Sequence, residues 1–276
     1  MLPVRFLFLG TGTSAGVPAI GCSCPVCTSP DPRDQRLRTA AAVQFTDAGG
    51  EDRTILLDAS PDLRQQALRA GLTRCDALFF THNHVDHTFG LDEVRRFNAV
   101  MKRPIDIYAE PHTLDHLFRV YKHIFDRQAN VNDSFVATLV PHRLAPAEPV
   151  VLHGMRITPI RLLHGKLPIL GFRLEPEGPA PAPPGSPFPL AYCTDVSGIP
   201  PESWRLLEGA RTLVLDALRH RRHPTHLTLN DAVSIADRIG ARRTFFVHMS
   251  HDLPHDETNK QLPEGMALAH DGLILE

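Results

Sequence analysis

The segment 81–87 has the residue types that point most directly to chemistry. It places three histidines and one carboxylate, His82, His84, Asp86 and His87, within six residues. The apolar run before it, residues 77–80, is typical of a buried strand. Imidazole nitrogens and carboxylate oxygens are ligands for zinc, manganese and iron. The tight spacing therefore favours a metal site at a strand end over a solvated histidine-rich loop.

A second cluster consists of thiols. Cys22, Cys24 and Cys27 form a Cys-x-Cys-x-x-Cys pattern, and Cys22 and Cys24 are too close for an easy disulfide with each other. Three thiolates need one more ligand for a tetrahedral site, and His251 near the C-terminus is the candidate. Four protein ligands would leave no position for a substrate, so we expect structural zinc. The alternative is three free loop thiols.

The complete His-x-His-x-Asp-His pattern after a strand resembles the metallo-β-lactamase-fold hydrolases. The resemblance implies an α/β fold, a four-layered αβ/βα sandwich, with two metals at one edge of the sheets. Two further features narrow this resemblance to one branch of the family. They are the glycine-containing start of the chain, 10–18, and the cysteine pattern with the late His248-x-x-His251. Together they are similar to the phosphoribosyl 1,2-cyclic phosphate phosphodiesterase group, over about residues 4–252. The glycines of 10–18 fit either a tight turn or N–H groups that line a phosphate site.

The resemblance also supplies the remaining metal ligands. It places one at His164 after an apolar run, with His142 and His153 as rivals, and a bridging carboxylate at Asp195, with Asp216 as rival. The implied sets are His82, His84 and His164 for one metal, Asp86, His87 and His248 for the other, and Asp195 between them. Asp58 at another strand end either orients a histidine or only caps local backbone.

The chemistry that follows from the resemblance is hydrolysis. A hydroxide held between two divalent metals, zinc or manganese with iron as a further candidate, would attack phosphorus. Asp86 and His226 are the expected catalytic residues. His226 resembles a histidine that protonates the leaving oxygen in the phosphodiesterase branch, although a solvated loop position is the competing interpretation.

The expected activity is that of a phosphodiesterase acting on a small, cyclic phosphodiester. A thioester or lactone hydrolase on the same metal site is the main alternative, because an activated water also attacks carbonyls. A tRNA 3′-processing nuclease is disfavoured by the net charge of −2 and the lack of an obvious protruding arm. A non-enzymatic metal or redox sensor is disfavoured by the seven implied ligands.

Composition bounds the remaining properties. The 276 residues are 42% hydrophobic and 22% charged, which suits a globular domain. No apolar run approaches the ~20 residues of a membrane span, and the N-terminus does not resemble a signal peptide. Together with the odd count of five cysteines, this predicts a cytoplasmic protein. A small-molecule substrate is expected rather than nucleic acid, and a homodimer is left open.

We expect one domain over 1–276, with an exposed proline-rich loop at 175–189 and a C-terminal tail at 253–276. Seven prolines within 175–189 exclude a helix or a central strand there. Apolar periodicity predicts helices over 60–71, 91–100, 113–125 and 230–239. A terminal strand is expected at 273–275.

Overall fold

Two mixed β-sheets form the centre of the molecule in the computed structural model, which describes residues 4–129, 134–178 and 185–276. Within these residues each sheet has seven strands. The first has the order β14-β1-β2-β3-β4-β5-β6, with β1 Arg5–Gly10, β2 Ala40–Thr46, β3 Asp52–Leu57, β4 Ala77–Phe79, β5 Ile105–Ala109, β6 Leu139–Arg143 and β14 Ile274–Leu275. The second has the order β13-β12-β11-β10-β9-β8-β7, with β7 Val150–Leu152, β8 Met155–His164, β9 Leu167–Pro176, β10 Leu190–Cys193, β11 Thr212–Asp216, β12 Arg243–Val247 and β13 Met266–Leu268.

Helices cover the outer face of each sheet. The α-helices are α1 Leu63–Arg69, α2 Val85–Thr88, α3 Arg95–Met101, α4 Pro111–Val120, α5 Lys122–Phe125, α6 Trp204–Leu207, α7 Leu229–Ile239 and α8 His255–Asn259. Short 3₁₀ segments occupy Pro32–Asp34, Leu91–Val94, Arg127–Ala129 and Pro201–Ser203. Of the helices that the structure describes, none is both long and apolar enough to span a lipid bilayer.

Strand alternation divides the apolar residues among three packed layers. On β1, Phe6 and Phe8 point between the two sheets, whereas Leu7 and Leu9 point toward the helices of the first sheet. Across the gap between the sheets, the Phe79 ring meets the Phe172 ring with centroids 5.6 Å apart. A third cluster lies between the second sheet and α7. The layers run helix, sheet, sheet, helix, so the expected αβ/βα sandwich is confirmed.

Two helix predictions were wrong in detail. The helix expected over 113–125 is broken at Tyr121, which has φ −104° and ψ 44°, so α4 and α5 are separate. The Tyr121 hydroxyl donates to the carbonyl of Thr88, beside the histidine motif. This contact anchors Tyr121 at the break. The helix expected over 91–100 begins instead with a 3₁₀ segment and continues as α3.

The predicted terminal strand at 273–275 corresponds to β14, which pairs antiparallel with β1. The rest of the C-terminal tail contains α8 and β13, and β13 forms the edge of the second sheet beside β12. The buried carboxylate of Asp271 accepts from the Thr11 hydroxyl and the Leu37 amide, 2.8 and 2.9 Å away. The tail therefore contributes a strand to each sheet.

The proline-rich stretch 175–189 lies between two antiparallel neighbours. β9 extends to Pro176, opposite Met155 on β8, and β10 begins at Leu190. Six residues of the predicted exposed loop, 179–184, lie outside the described part of the chain. At its ends the prediction was wrong, because Glu175 and Pro176 belong to β9 and Phe188 is fully buried in the core between the sheets.

Candidate metal centre and active site

The strands deliver the candidate ligands to one edge of the two sheets. His82 follows β4, His164 is the last residue of β8, Asp195 follows β10, and His248 follows β12. β10, β11 and β12 are mutually parallel, and β8 runs in the same direction through two antiparallel pairings. Their carboxyl ends therefore meet at the same edge, which is where sites form in such sheets.

The structure groups the expected ligands as two neighbouring sets. Ring nitrogens of His82, His84 and His164 lie within 4.8 Å of one another. A second set, with ligand atoms within the same distance, contains Asp86, His87, Asp195 and His248. The His82 and His87 ring centroids are 4.3 Å apart, so the two sets adjoin.

Asp195 lies between these sets. Its Oδ2 is 3.2 Å from Nε2 of His87 and its Oδ1 is 3.1 Å from Nε2 of His248. It also groups with His164 and His226 within 4.8 Å. The rival Asp216 lies behind His226, where Oδ1 accepts from Nδ1 of His226 and Oδ2 from the Leu227 amide. The geometry places Asp195, and not Asp216, at the junction.

The donor atoms fit divalent metal ions. Nε2 of His82, His87 and His248 is buried and makes no hydrogen bond of normal geometry among the residues that the structure describes, although Asp195 oxygens lie 3.2 and 3.1 Å from the last two. Buried polar atoms without a partner are costly, and nitrogen with carboxylate oxygen is a donor set for borderline divalent ions. The edge thus offers a ready set of ligands whose lone pairs are not used by the protein.

The charges around these atoms support the same fit. Burial lowers the pKa of His164 to about 4, which keeps its imidazole neutral, as ligation requires. For His87, burial opposes protonation, but Asp195, Asp86 and Asp58 outweigh it and raise the pKa well above its usual value. The carboxylates therefore favour a positive charge at the position of His87.

A shell of hydrogen bonds orients the candidate ligands. Nδ1 of His87 donates to Oδ2 of Asp58 over 2.7 Å, and the same carboxylate accepts from the amide and hydroxyl of Thr81. Nδ1 of His164 donates to the Thr225 carbonyl over 2.8 Å. Asp58 therefore orients a histidine and also caps the backbone of the motif, which combines the two interpretations left open by the sequence. Such contacts fix the tautomer and the ring orientation.

Three site residues have unusual backbone angles. Asp58, Asp195 and His248 have φ of 64°, 60° and 62°, in the left-handed region that residues with a Cβ rarely adopt. Backbone strain of this kind costs about 1–3 kcal/mol per residue and concentrates at functional sites. The fold maintains that strain where side chains must turn toward the edge.

His226 lies beside both ligand sets. Its ring centroid is 4.6 Å from that of His164 and 4.7 Å from that of His248. Because Nδ1 donates to the buried Asp216, Nε2 is the nitrogen left for other chemistry. The structure thus places His226 at the edge that carries the candidate metal ligands. The interpretation of His226 as a leaving-group acid requires this position.

The four residues of the cysteine cluster also converge. The Sγ atoms of Cys22, Cys24 and Cys27 lie 3.2, 3.4 and 3.3 Å from Nδ1 of His251. The amide of Cys27 donates to Sγ of Cys24, and this bond is the main cause that lowers the pKa of the Cys24 thiol to about 7. Burial raises the pKa of the neighbouring Cys27 thiol to about 11, so of these two thiols Cys24 is the one whose surroundings favour the thiolate form that binds metal.

Other expectations are resolved by position. The two rival candidates for the position of His164 lie away from this edge. His142 on β6 pairs with Asp106 on β5, and His153 lies in the turn between β7 and β8.

In the first loop, the amides of Gly12 and Thr13 donate to backbone carbonyls of Leu37 and Met249. The amides of Gly16 and Val17 are paired in the same way, with the carbonyls of Thr13 and Arg36, so most of this loop has the bonding of a tight turn.

The sequence analysis did not identify the residues that orient the candidate metal ligands through hydrogen bonds. Thr81 orients His82 over 2.9 Å and Thr225 orients His164, but neither threonine has a distinctive local pattern. Thr81 could have been suspected because it directly precedes the histidine motif. Thr225 is 61 positions from its partner, so only the fold reveals it.

Comparisons with known proteins agree with this geometry. The family model described as Beta-lactamase superfamily domain matches residues 53–249, and the chain belongs to this family. A crystal structure of a diphosphatase from the PhnP family has a TM-score of 0.85 and 42% sequence identity, covering 99% of this chain and 97% of that one. The protein is therefore a metal-dependent hydrolase with the metallo-β-lactamase fold, and this fold implies that it binds divalent metal ions.

Two further relatives extend the comparison. Zn²⁺-bound PqqB from Methylobacterium extorquens has a TM-score of 0.75 at 22% identity, with 99% of each chain covered, and shows the same fold. The octanoyltransferase of Porphyromonas gingivalis (strain ATCC BAA-308 / W83) is 35% identical over 272 residues, which are 98% of this chain. This chain spans only about half of that relative's length, 51%.

The contact between Asp58 and His87 yields a first test. In Asp58→Asn an amide N–H₂ replaces the oxygen that accepts from Nδ1 of His87, so the ring must place its proton on Nε2. We expect metal affinity to fall by about 10–100-fold, measured by metal titration with a competing chelator.

The control for this test is Asp106→Asn, because His142 and Asp106 form a pair with the same 2.7 Å separation on the surface. That variant should bind metal like the parent protein. Equal affinities for Asp58→Asn and the parent would show that Asp58 does not set the tautomer of His87.

Proposed function

We propose that the protein is a phosphodiesterase that hydrolyses a small phosphodiester, including cyclic ones. The observation that carries this proposal is the position of His226, held by buried Asp216 between the rings of His164 and His248. A proton donor beside a metal pair suits the departure of a poor, alkoxide leaving group. The 42% identity with a diphosphatase of the PhnP family supports phosphorus chemistry at this edge.

In this proposal the seven clustered residues hold two divalent ions, with zinc and manganese as the leading candidates and iron as a third. When bound, such ions neutralise charge on a phosphoryl group and lower the pKa of water toward neutrality. The proposed ligands are His82, His84 and His164 for one ion, Asp86, His87 and His248 for the other, and Asp195 for both.

The chain's own residues then have separate tasks. Asp58 and Thr225 keep two ligands in the tautomer that leaves Nε2 free. Asp86 and Asp195 supply the negative charge that retains cations at the edge. In its imidazolium form His226 would donate the Nε2 proton to the leaving oxygen, while Nδ1–H donates to Asp216, whose buried carboxylate offsets the positive charge.

The cysteine cluster has a different proposed task. Cys22, Cys24, Cys27 and His251 would hold one structural zinc with all four positions filled by protein. His251 is three residues after His248, so that ion would stabilise the segment that carries an active-site ligand. No disulfide joins the cysteines that the structure describes, which agrees with the reducing, cytoplasmic location that we propose.

Thioester hydrolysis is the second candidate, since a relative that is 35% identical is named octanoyltransferase. That name belongs to a protein about twice as long as this chain. The cavity of about 780 Å³ beside His226 is lined by several polar side chains, among them Arg222, His223 and Asp231. Apolar side chains, Leu227 and Ile235 among them, form the rest of the lining, so the substrate tests below, and not the cavity, separate the two candidates.

A substrate panel tests the proposed function. Protein reconstituted with manganese or zinc should hydrolyse bis(p-nitrophenyl) phosphate and a cyclic ribose phosphate, and should leave octanoyl thioesters and lactones intact. Asp86→Ala should remove the activity, since it deletes a ligand. Turnover of the thioester alone would contradict the phosphodiesterase assignment and favour the carbonyl hydrolase.

Leaving-group dependence tests the role of His226. We expect His226→Ala to lower kcat for hydrolysis of a cyclic ribose phosphate by about 10²–10⁴-fold, which is the usual contribution of a general acid. A p-nitrophenolate leaves without protonation, so its release should slow far less. His153→Ala, in the turn between β7 and β8, is the control histidine variant. The same loss for both substrates would assign His226 to another task.

A further inference from the structure

The exposed side of α2 carries apolar residues directly beside a candidate metal ligand. Val85 and Phe89 are 51% and 48% exposed, and the amide of Phe89 donates to the carbonyl of Val85. Their side chains are therefore one helical turn apart on the same side of α2. His84, the exposed member of the candidate metal ligands, directly precedes Val85. A phosphoryl group bound at the sheet edge would therefore have an apolar surface next to it.

The helix α4 lies along this side of α2. Because β5 is parallel to β4, the residues that lead from β5 into α4 lie beside the end of β4 that precedes His82. Farther along the chain, the hydroxyl of Tyr121 donates to the carbonyl of Thr88, and the ring centroids of Tyr121 and Phe89 are 6.4 Å apart. The two helices therefore share one surface, which extends from the metal edge to Phe89.

His116 on α4 has a hydrogen-bond donor that the protein does not use. Its Nδ1 accepts from the guanidinium of Arg119 over 3.2 Å, so the proton of the neutral ring is on Nε2. That Nε2 atom is buried and has no hydrogen-bond partner among the residues that the structure describes. Burial is the main cause that lowers the pKa of His116, and Arg119 and His84 lower it further, which keeps the ring neutral. A buried N–H without a partner is costly, and an acceptor on a ligand would remove that cost.

The surface between the two helices combines aromatic, aliphatic and donor groups. Val120 is an exposed apolar residue four positions after His116, so both side chains lie on one face of α4. We refer to Val85, Phe89, His116 and Val120 together as the α2–α4 strip. A flat heteroaromatic ring with a carbonyl oxygen fits this composition, because the ring can stack on a phenyl group while the oxygen accepts from an N–H donor.

We propose that the α2–α4 strip binds a nucleobase of the substrate, with the base stacked on Phe89 and Nε2–H of His116 donating to one of its carbonyl oxygens. The inference rests on the proposed function and adds the substrate class: a diester in which the group that stays on phosphorus is a nucleoside. His226 directly precedes residues that pack on the second sheet, whereas α4 packs on the first sheet. The leaving group and the retained group therefore have separate surfaces.

Two substrates with the same leaving group test this assignment. Thymidine 5′-(p-nitrophenyl phosphate) and methyl p-nitrophenyl phosphate both release p-nitrophenolate when water displaces it from phosphorus, and they differ only in the retained group. We expect the metal-loaded enzyme to have the lower KM for the thymidine ester. Phe89→Ala should raise that KM by about 10–100-fold, the effect expected for the loss of one stacked base, with kcat little changed. KM for the methyl ester should change little.

Matched variants separate base binding from a structural role. Phe89→Trp should keep the low KM for the thymidine ester, because it retains an aromatic face. His116→Ala should raise this KM, and His116→Gln should lie closer to the parent protein, since the glutamine amide can donate to the base. Leu68→Ala, which removes an exposed apolar side chain of α1, and His142→Ala on β6 are the controls and should behave like the parent. Equal KM changes for both esters in Phe89→Ala, or no change for either, would overturn the assignment.

Direct binding distinguishes this inference from the proposed function. By calorimetry, thymidine 5′-phosphate should bind the metal-loaded protein at least about 10-fold more tightly than 2-deoxyribose 5-phosphate, and Phe89→Ala should abolish that difference. This result would support the base site even if no phosphodiester were hydrolysed, in which case only the proposed function fails. Equal affinities of the parent protein for the two phosphates would overturn the inference. A smaller mass of Phe89→Ala in light scattering, with unchanged KM values, would also overturn it, because the strip would then be a contact between copies of the chain.

Discussion

The structure depends on the need to balance buried negative charge at one edge of two sheets. Asp58, Asp86 and Asp195 lie in contact with His87 or His248, with almost no exposure to solvent. Isolated carboxylates are strongly disfavoured in such surroundings. The raised pKa of His87, caused by Asp195, Asp86 and Asp58 despite burial, shows that this edge favours positive charge. Divalent cations at this edge would neutralise the buried carboxylates and would also be bound by the Nε2 atoms of the histidines.

The rest of the fold maintains this arrangement. Parallel strand ends deliver the side chains, and left-handed backbone at Asp195 and His248 turns them inward. The buried guanidinium of Arg36 donates to the carbonyls of Ser250 and Leu253, at 2.8 and 2.5 Å, on both sides of His251. Because the thiols of the cysteine cluster contact His251, the cysteine loop and Arg36 both anchor the segment that follows His248.

The local motifs could be predicted from the sequence, whereas the long-range partners could not. His82 to His87 form a pattern whose spacing alone indicates a metal site. His164 and Asp195 required the family resemblance, because each is a single residue after an ordinary strand. The preference for Asp195 over Asp216 depends on position: Asp195 lies between the two ligand sets, whereas Asp216 lies behind His226 and accepts from it and from the Leu227 amide.

Contacts between residues that are distant in the sequence also explain the other places where the structure differs from the sequence-based predictions. The helix break at Tyr121 arises where its hydroxyl contacts Thr88, 33 positions away, so helical periodicity could not reveal it. β13 has only three residues and is a strand because β12 lies beside it.

Anomalous X-ray diffraction from crystals of metal-loaded protein tests the central claim most directly. We expect two ions a few Å apart at the sheet edge, as in other two-metal sites, and a separate zinc on the thiols. Asp195 should contact both edge ions, and the remaining edge ligands should be His82, His84, His164, Asp86, His87 and His248. A single ion at the edge, or Asp216 in place of Asp195 between two ions, would contradict the two-metal assignment.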